Sequence, residues 1–436
     1  MARDIIAALD VGTSTVQTVV AERERGGDGL RFLGAGVAPS GGMRRGTVVD
    51  LEEATRSIQQ SIADAARAAG VPIRSVWLAI GGAHVTVSSS RGVVAVSRAD
   101  GEISPEDVRR AIAAAESFIP KNLNREVLHI IPRDFKVDSE SGVKDPVGMH
   151  GLRLEVDALI IECSAPFLKN LLKAVEASGV HVEDYVFGAL AAAETVLSKR
   201  QKELGAVLLD IGGGTASFVV FEDGVPIHAG VLPIGGSHIT NDVAIGFRTH
   251  VDIADHIKVA YGSCLPADIS KKDNVIRFED LPFELGMGMG MGVGTADVRE
   301  EGKKQHKAEP AGFPRRSLAE IIEARLQDLF ELLQKELKRI NRAELLPAGV
   351  VLVGGSSVLP GLIDLTKREM RLPASRGTLD HSAILIDEDR APSLVTAIGV
   401  LQWGARKGGE RTNWMTRRLP KWADLSWLKW FQSFLP

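Results

Sequence analysis

The sequence predicts an α/β protein of two duplicated halves, with an α+β subdomain inserted in the first half and an amphipathic helix at the C-terminus. Three observations predict it. Residues 8–20 read ALDVGTSTVQTVV and residues 208–220 read LLDIGGGTASFVV, the same pattern without gaps at an offset of 200 residues. Helix and strand signatures alternate around both copies, which argues for α/β layers in each half. Four of the six Trp (Trp414, Trp422, Trp427 and Trp430) crowd into the last 23 residues.

A chain of 436 residues exceeds one ordinary domain, and 44% apolar content is enough to bury sizeable cores. A net charge of −4 gives no global reason to expect nucleic acid as a partner. Two cysteines, Cys163 and Cys264, exclude a disulfide scaffold and suit a reducing compartment. The N-terminus, MARDIIAALD, carries no cleavable signal pattern, and no run of 18 apolar residues is present to span a bilayer.

In chain order, each repeat copy reads as a β-hairpin: an apolar strand ending in Asp-apolar-Gly, a small or hydroxylated turn, then a second strand. Asp50 fits an N-cap, with Glu53 at the capping-box position, for a helix over residues 51–69. Residues 84–162 form the inserted subdomain. It opens on a hairpin-like HVTVSSSRGVVAVS and continues with a helix capped by Ser104 with Pro105 first. Two strands near 126–136 and 152–162 complete it. Ser164 caps a helix that Gly179 stops, and Leu326, Leu329, Leu333 and Leu337 stripe a long helix over 317–340. GVVLVGG at 349–355 is a buried strand and glycine turn. The stretch 285–316 is Gly- and Met-rich, then charged, and reads as a loop; RKGGERTN at 406–413 reads as a linker.

The expected domains are therefore 1–83 with 163–204, the insert 84–162, 205–232 with 317–405, a subdomain over 233–316, the linker, and the tail 414–436.

The repeat carries the chemistry. Turns of Gly, Ser and Thr bring backbone N–H groups close to an anion that side chains would block. Two such turns, Gly12, Thr13, Ser14 and Gly212, Gly213, Gly214, Thr215, can hold a polyphosphate from both sides. Asp10 and Asp210 then project to one place and suit a hydrated Mg²⁺. LVGGSSVLPGL at 352–362 adds a third glycine turn. His250 and His256 are six apart and do not share a helical face, so no metal site is expected there.

The tail reads as a membrane anchor. Set Trp422 at 0° and advance about 100° per residue; Ala423, Trp427, Trp430, Phe431 and Phe434 then share one face. Ser426, Lys429, Gln432 and Ser433 take the other, while Trp422 and Leu425 fall outside the stripe. From residue 411 onward five cations, including Arg417 and Arg418, face one acid, Asp424. Basic charge with Trp and Phe suits the interface of an anionic membrane.

Together these motifs resemble the actin-like (ribonuclease-H-like) ATPase superfamily. Within it the chain is similar to the FtsA family of bacterial division proteins. GTVVDLEEA at 46–54, VLHIIPRDFKVD at 127–138, KDPVGMHGLRLEVDA at 144–158 and GGSHITNDVAIGFRTHVDIADHIKVAYG at 235–262 extend the likeness along most of the chain.

The resemblance implies ATP with Mg²⁺ as ligands. It places Gly235 and Gly236 near the phosphates, Asp255 and Lys258 at ribose and base, and Gly354, Gly355 and Ser356 against adenosine. It implies that the insert supports self-polymerisation and that 233–316 receives the C-terminal peptide of FtsZ, with Arg315, Arg316 and Arg325 as candidate contacts. Other division proteins are implied as further partners, and a peripheral location on the cytoplasmic face of the cell membrane at the division site.

Two departures stand out. The family usually has Glu where this chain has Asp255. It also places an acidic or amide residue followed by Pro where this chain has Gly188 and Ala189, so weak or absent hydrolysis is expected; Glu194 lies about a turn and a half further on. Two alternatives remain open: an actin-like assembly protein of a pilus or secretion system, and a sugar kinase of the same superfamily. The basic aromatic tail discriminates against both.

Overall fold

The computed structural model describes residues 4–24, 29–118, 124–270, 274–277, 312–379 and 391–409. The Gly-Met stretch at 286–294 and the tail 414–436 lie outside the described residues.

The first half begins with an antiparallel meander, β1 (Ile5–Val11), β2 (Thr15–Arg23) and β3 (Leu30–Pro39). Helix α1 (Leu51–Ala69) crosses over to β4 (Ser75–Ile80), which runs parallel to β1. The insert follows as β5 (Thr86–Ala95), α2 (Pro105–Ser117), β6 (Arg125–Val137), β7 (Glu140–Val143) and β8 (Arg153–Ser164). Helix α3 (Ala165–Ala177) returns the chain to β9 (His181–Phe187), parallel to β4. Two short helices, α4 (Gly188–Val196) and α5 (Lys199–Leu204), lead into the second half.

That half repeats the plan with β10 (Ala206–Ile211), β11 (Ala216–Glu222) and β12 (Val225–Leu232). Its own insertion holds α6 (Gly236–Phe247), α7 (Val251–Tyr261) and the paired strands Val275–Arg277 and Gly312–Pro314. Then come α8 (Arg315–Arg339), β13 (Gly349–Val353), α9 (Leu362–Met370), β14 (Ala374–Arg376) and α10 (Ala391–Gly409).

The duplication is exact in topology. One sheet is ordered β3-β2-β1-β4-β9 and the other β12-β11-β10-β13-β14. Register follows the sequence offset: Asp10 pairs with Gln17 and Asp210 with Ser217. The middle strands β1 and β10 are buried on both sides for most of their length, as central strands require. A core that includes sheet one, α4 and α10 also takes in Val219, Phe221, Val351 and Val353 from sheet two, so α4 and α10 join the halves. A Cβ at Gly399 of α10 would collide with the carbonyl of Ala191 on α4, which is why the two helices can touch. The insert keeps its own core, from Ile103 and Val108 to Phe135 and Leu154.

Several local expectations need correction. Residues 84–97 do not fold as a hairpin but contain the single strand β5. Gly92 is no turn; it lies where the strand passes under α2, and a Cβ there would collide with the carbonyl of Ala111. Asp50 does cap α1, accepting from the Glu53 amide at 3.0 Å, yet no box forms with Glu53. The Asp50 N–H that such a box would use already donates to the carbonyl of Gly42. Ser104 and Asp107 form the reciprocal box instead, for α2. Ser164 occupies the N-cap of α3 without a side-chain bond, and Pro166 in the first turn removes one amide a cap would serve. Helix α10 runs through Gly409, four residues into the stretch read as linker.

Candidate nucleotide site

Each hairpin turn is closed by one backbone hydrogen bond, Gly12 to Thr15 and Gly212 to Thr215, both 3.0 Å. The turns face each other in crossed pairs. A Cβ at Gly214 would lie 2.6 Å from Thr13 Oγ1, and one at Gly213 would collide with Ser14 Oγ. Thr13 and Ser14 of the first turn therefore have room because the positions facing them, Gly214 and Gly213, carry no side chain. Thr13 Oγ1 accepts from the Gly46 amide at 3.1 Å, and Ser14 Oγ lies 3.4 Å from Ser237 Oγ at the start of α6.

Behind the turns sit the carboxylates. Burial and, next, the charge of Asp210 push the Asp10 carboxyl up to about 7. Burial raises Asp210 as well, opposed by a 2.8 Å hydrogen bond from Thr396 Oγ1. Two buried carboxylates, one of them raised further by the charge of the other, call for a cation. Among the described residues no group of three or more His, Cys, Asp or Glu could hold a metal. A pair suffices for Mg²⁺, which keeps several waters and shares its shell with phosphate. The donor set therefore fits Mg²⁺ at Asp10 and Asp210.

Gly235 and Gly236 lie against the second turn. The Gly236 and Ser237 amides donate to the carbonyls of Gly212 and Gly213 at 2.9 and 2.8 Å, and Gly235 donates to His238 Nδ1 at 3.1 Å. These bonds brace the second turn. A Cβ at Gly235 would sit 2.5 Å from the Gly213 carbonyl, so only glycine allows the contact.

The third turn follows β13. Gly354 has φ +86°, and a Cβ there would collide with Asp210 Oδ1. Gly355 is exposed and a Cβ there meets nothing within 4 Å, so its side faces open space. Ser356 is half-buried, beside Gly236. On the other wall Lys258 Nζ donates to Asp255 Oδ1 at 2.5 Å and to Thr240 Oγ1 at 2.6 Å. Burial works against ionisation of Asp255, but the bonds from Lys258 and Thr240 prevail and hold its carboxyl low.

Two functional side chains escaped the sequence reading. Thr240 bridges Asp255 and Lys258. Thr396 fills the place a side chain at Gly188 would take: a Cβ there would be 3.0 Å from Thr396 Cγ2. The available signal was a hydroxyl in an otherwise apolar helical stretch, LVTAIGV at 394–400.

Glu194 lies in a different environment, paired with Lys202 at 2.9 Å and with Arg406 at 3.3 Å. Of the three candidate partner contacts, Arg316 is exposed and Arg315 donates to the Tyr261 carbonyl at 3.2 Å. Arg325 is committed internally: it grips Asp242 with two bonds of 2.6 and 3.0 Å and so ties α8 to α6. The anchor residues from Trp414 to Phe434 lie outside the described residues.

Against known families, a domain described as the SHS2 domain inserted in FTSA matches residues 82–162, and cell division protein FtsA matches residues 207–399. Cell division protein FtsA of Pseudomonas aeruginosa is 35% identical over 404 residues, covering 92% of this chain and 90% of the relative. FtsA of Escherichia coli K12 is 31% identical over 440 residues, covering 99% and 98%. Among solved structures, the PilM–PilN type IV pilus biogenesis complex aligns with TM-score 0.63 at 17% identity, over 92% of this chain and 98% of that one. MreB 5 of Spiroplasma citri bound to AMPPNP aligns at 0.50 and 12% identity, over 93% and 98%. These two likenesses establish the actin-like fold.

Proposed function

The chain belongs to the FtsA family of cell division proteins, and on that premise we propose that it binds ATP with Mg²⁺, polymerises and tethers FtsZ filaments to the cytoplasmic membrane. The observation that carries the nucleotide part is the crossed fit of the two turns with Asp10 and Asp210 behind them. Thr13, Ser14 and Gly212 to Thr215 hold the phosphates, Asp10 and Asp210 hold the hydrated Mg²⁺, and Gly355 and Ser356 lie under the adenosine. Asp255 and Lys258 line the ribose side.

Hydrolysis is slow in this reading, because Gly188 offers no group to orient water. The insert makes contacts between copies. The region 233–316 with the start of α8 receives the FtsZ C-terminal peptide, with Arg315 and Arg316 as its cationic contacts. The tail 414–436 lies in the membrane interface: each cation near an anionic leaflet contributes about 1 kcal/mol, and the aromatic face adds burial. Among the described residues no helix is long and apolar enough to cross a membrane. One such helix binds reversibly, and a polymer strengthens the attachment by avidity.

Sedimentation with anionic liposomes tests the tether. The full chain should carry FtsZ into the pellet, and a chain ending at residue 413 should leave it in solution while still binding ATP. Equal FtsZ recovery by both would overturn it.

A further inference from the structure

We infer that Gln17 is a positioning residue for the divalent cation: its amide oxygen holds a water of the hydrated Mg²⁺ beside Asp10. The inference rests on the Mg²⁺–nucleotide reading above and deepens it.

Gln17 is 4% exposed, a rare state for a long polar side chain. It is the cross-strand partner of Asp10. Such partners leave the hairpin on one face with Cβ atoms about 5 Å apart. Its Nε2 donates to Thr15 Oγ1 at 3.3 Å, while its Oε1 is buried with no hydrogen-bond partner. A buried acceptor left unpaired is a standing penalty, so native proteins rarely keep one without a use.

The orphan needs a donor. With a cation bound, Asp10 is ionised and has no proton to give, and the neighbouring inward position on β1 is Ala8. A water on Mg²⁺ is a strong donor, because the cation polarises its O–H bonds and Mg²⁺ retains its waters. A neutral amide suits the place: it orients that water without taking over the cation's charge. The second half solves the same problem differently. Ser217 stands opposite Asp210, and Asp210 already has Thr396 as its partner. Each carboxylate thus has one neutral polar attendant, from β2 in one case and from α10 in the other.

The test uses the full chain, its Gln17→Met and Gln17→Glu variants, and labelled ATP at fixed concentration. Mg²⁺ is titrated, metal-free ATP affinity is measured in EDTA, and Mn²⁺ binding to protein alone is followed by electron paramagnetic resonance. Gln17→Met should raise the Mg²⁺ midpoint about tenfold, as loss of an outer-shell partner does, and should weaken Mn²⁺ likewise. Metal-free ATP affinity should stay put. Gln17→Glu keeps the acceptor and adds charge, so it should lower the Mg²⁺ midpoint, and it decides the matter if the Met variant fails to fold.

Unchanged metal midpoints would overturn the inference. So would an equal loss of metal-free ATP affinity, which would mean that Gln17 touches phosphate or merely supports the hairpin. If the parent chain binds no nucleotide at any Mg²⁺ concentration, the nucleotide reading fails, and the Mn²⁺ measurement still decides the role of Gln17.

Discussion

Asp10 shows how a site residue works against its own fold. Its carboxyl is raised from 3.8 to about 7 by burial and by Asp210. The folded protein therefore keeps a proton on Asp10 that the unfolded chain loses from about pH 4 upward. This contribution is fully present below pH 4, is lost as pH rises through about 7, and stays lost above. Asp10→Asn removes the liability. In urea unfolding of the nucleotide-free protein at pH 8 it should gain on the order of 1–3 kcal/mol, with little gain at pH 4, while Mg²⁺-dependent ATP binding falls. A variant less stable than the parent at pH 8 would contradict this.

Which residues were legible at this scale follows from locality. Asp10, Gly12 and their partners at 210 and 212 act through their own turns, so the repeat exposed them. Thr396 and Thr240 act on residues 186 and 15 positions away, which no local pattern encodes. The pairing of Arg325 with Asp242, 83 residues earlier, is hidden for the same reason.

At the scale of elements, caps and periodicity placed the helices well. α1 spans the expected 51–69, and α8 begins two residues earlier than the pattern showed. The error in β5 has a physical source. Glycine in a strand pattern marks either a turn or a close approach, and only the position of α2 decides between them. Gly92→Ala should push α2 off the insert's sheet and cost roughly 1–3 kcal/mol, the usual range for overpacking. Thermal unfolding should show the loss, while ATP affinity should hold, since Gly92 lies in the insert and not among the proposed nucleotide residues. Wild-type stability in this variant would mean that the helix and strand separate freely.

At the scale of the molecule, the duplication was readable because one hairpin recurs at a fixed offset. The joining of the halves was not, because α4 and α10 meet through Gly399 and Ala191, far apart in sequence. That junction brings Thr396 to Asp210 and fills the space beside Gly188. With no water-orienting side chain there, phosphate release from ATP should run about 10²–10⁴-fold below that of a site with a positioned group. Turnover of several ATP per second would send the search to another base.

ATP is proposed to lie between the two hairpin turns and the third turn after β13. Gly213→Asp would be a poor probe, since any side chain there collides with Ser14 and could part the halves. Gly355→Asp is the direct one, because its side chain enters open space and leaves the fold alone. Titration of labelled ATP in Mg²⁺, with thermal unfolding in parallel, should show saturable binding by the parent. The variant should lose affinity at least about tenfold, equivalent to ~1.4 kcal/mol, at an unchanged melting temperature. Equal affinity in both proteins would contradict the site.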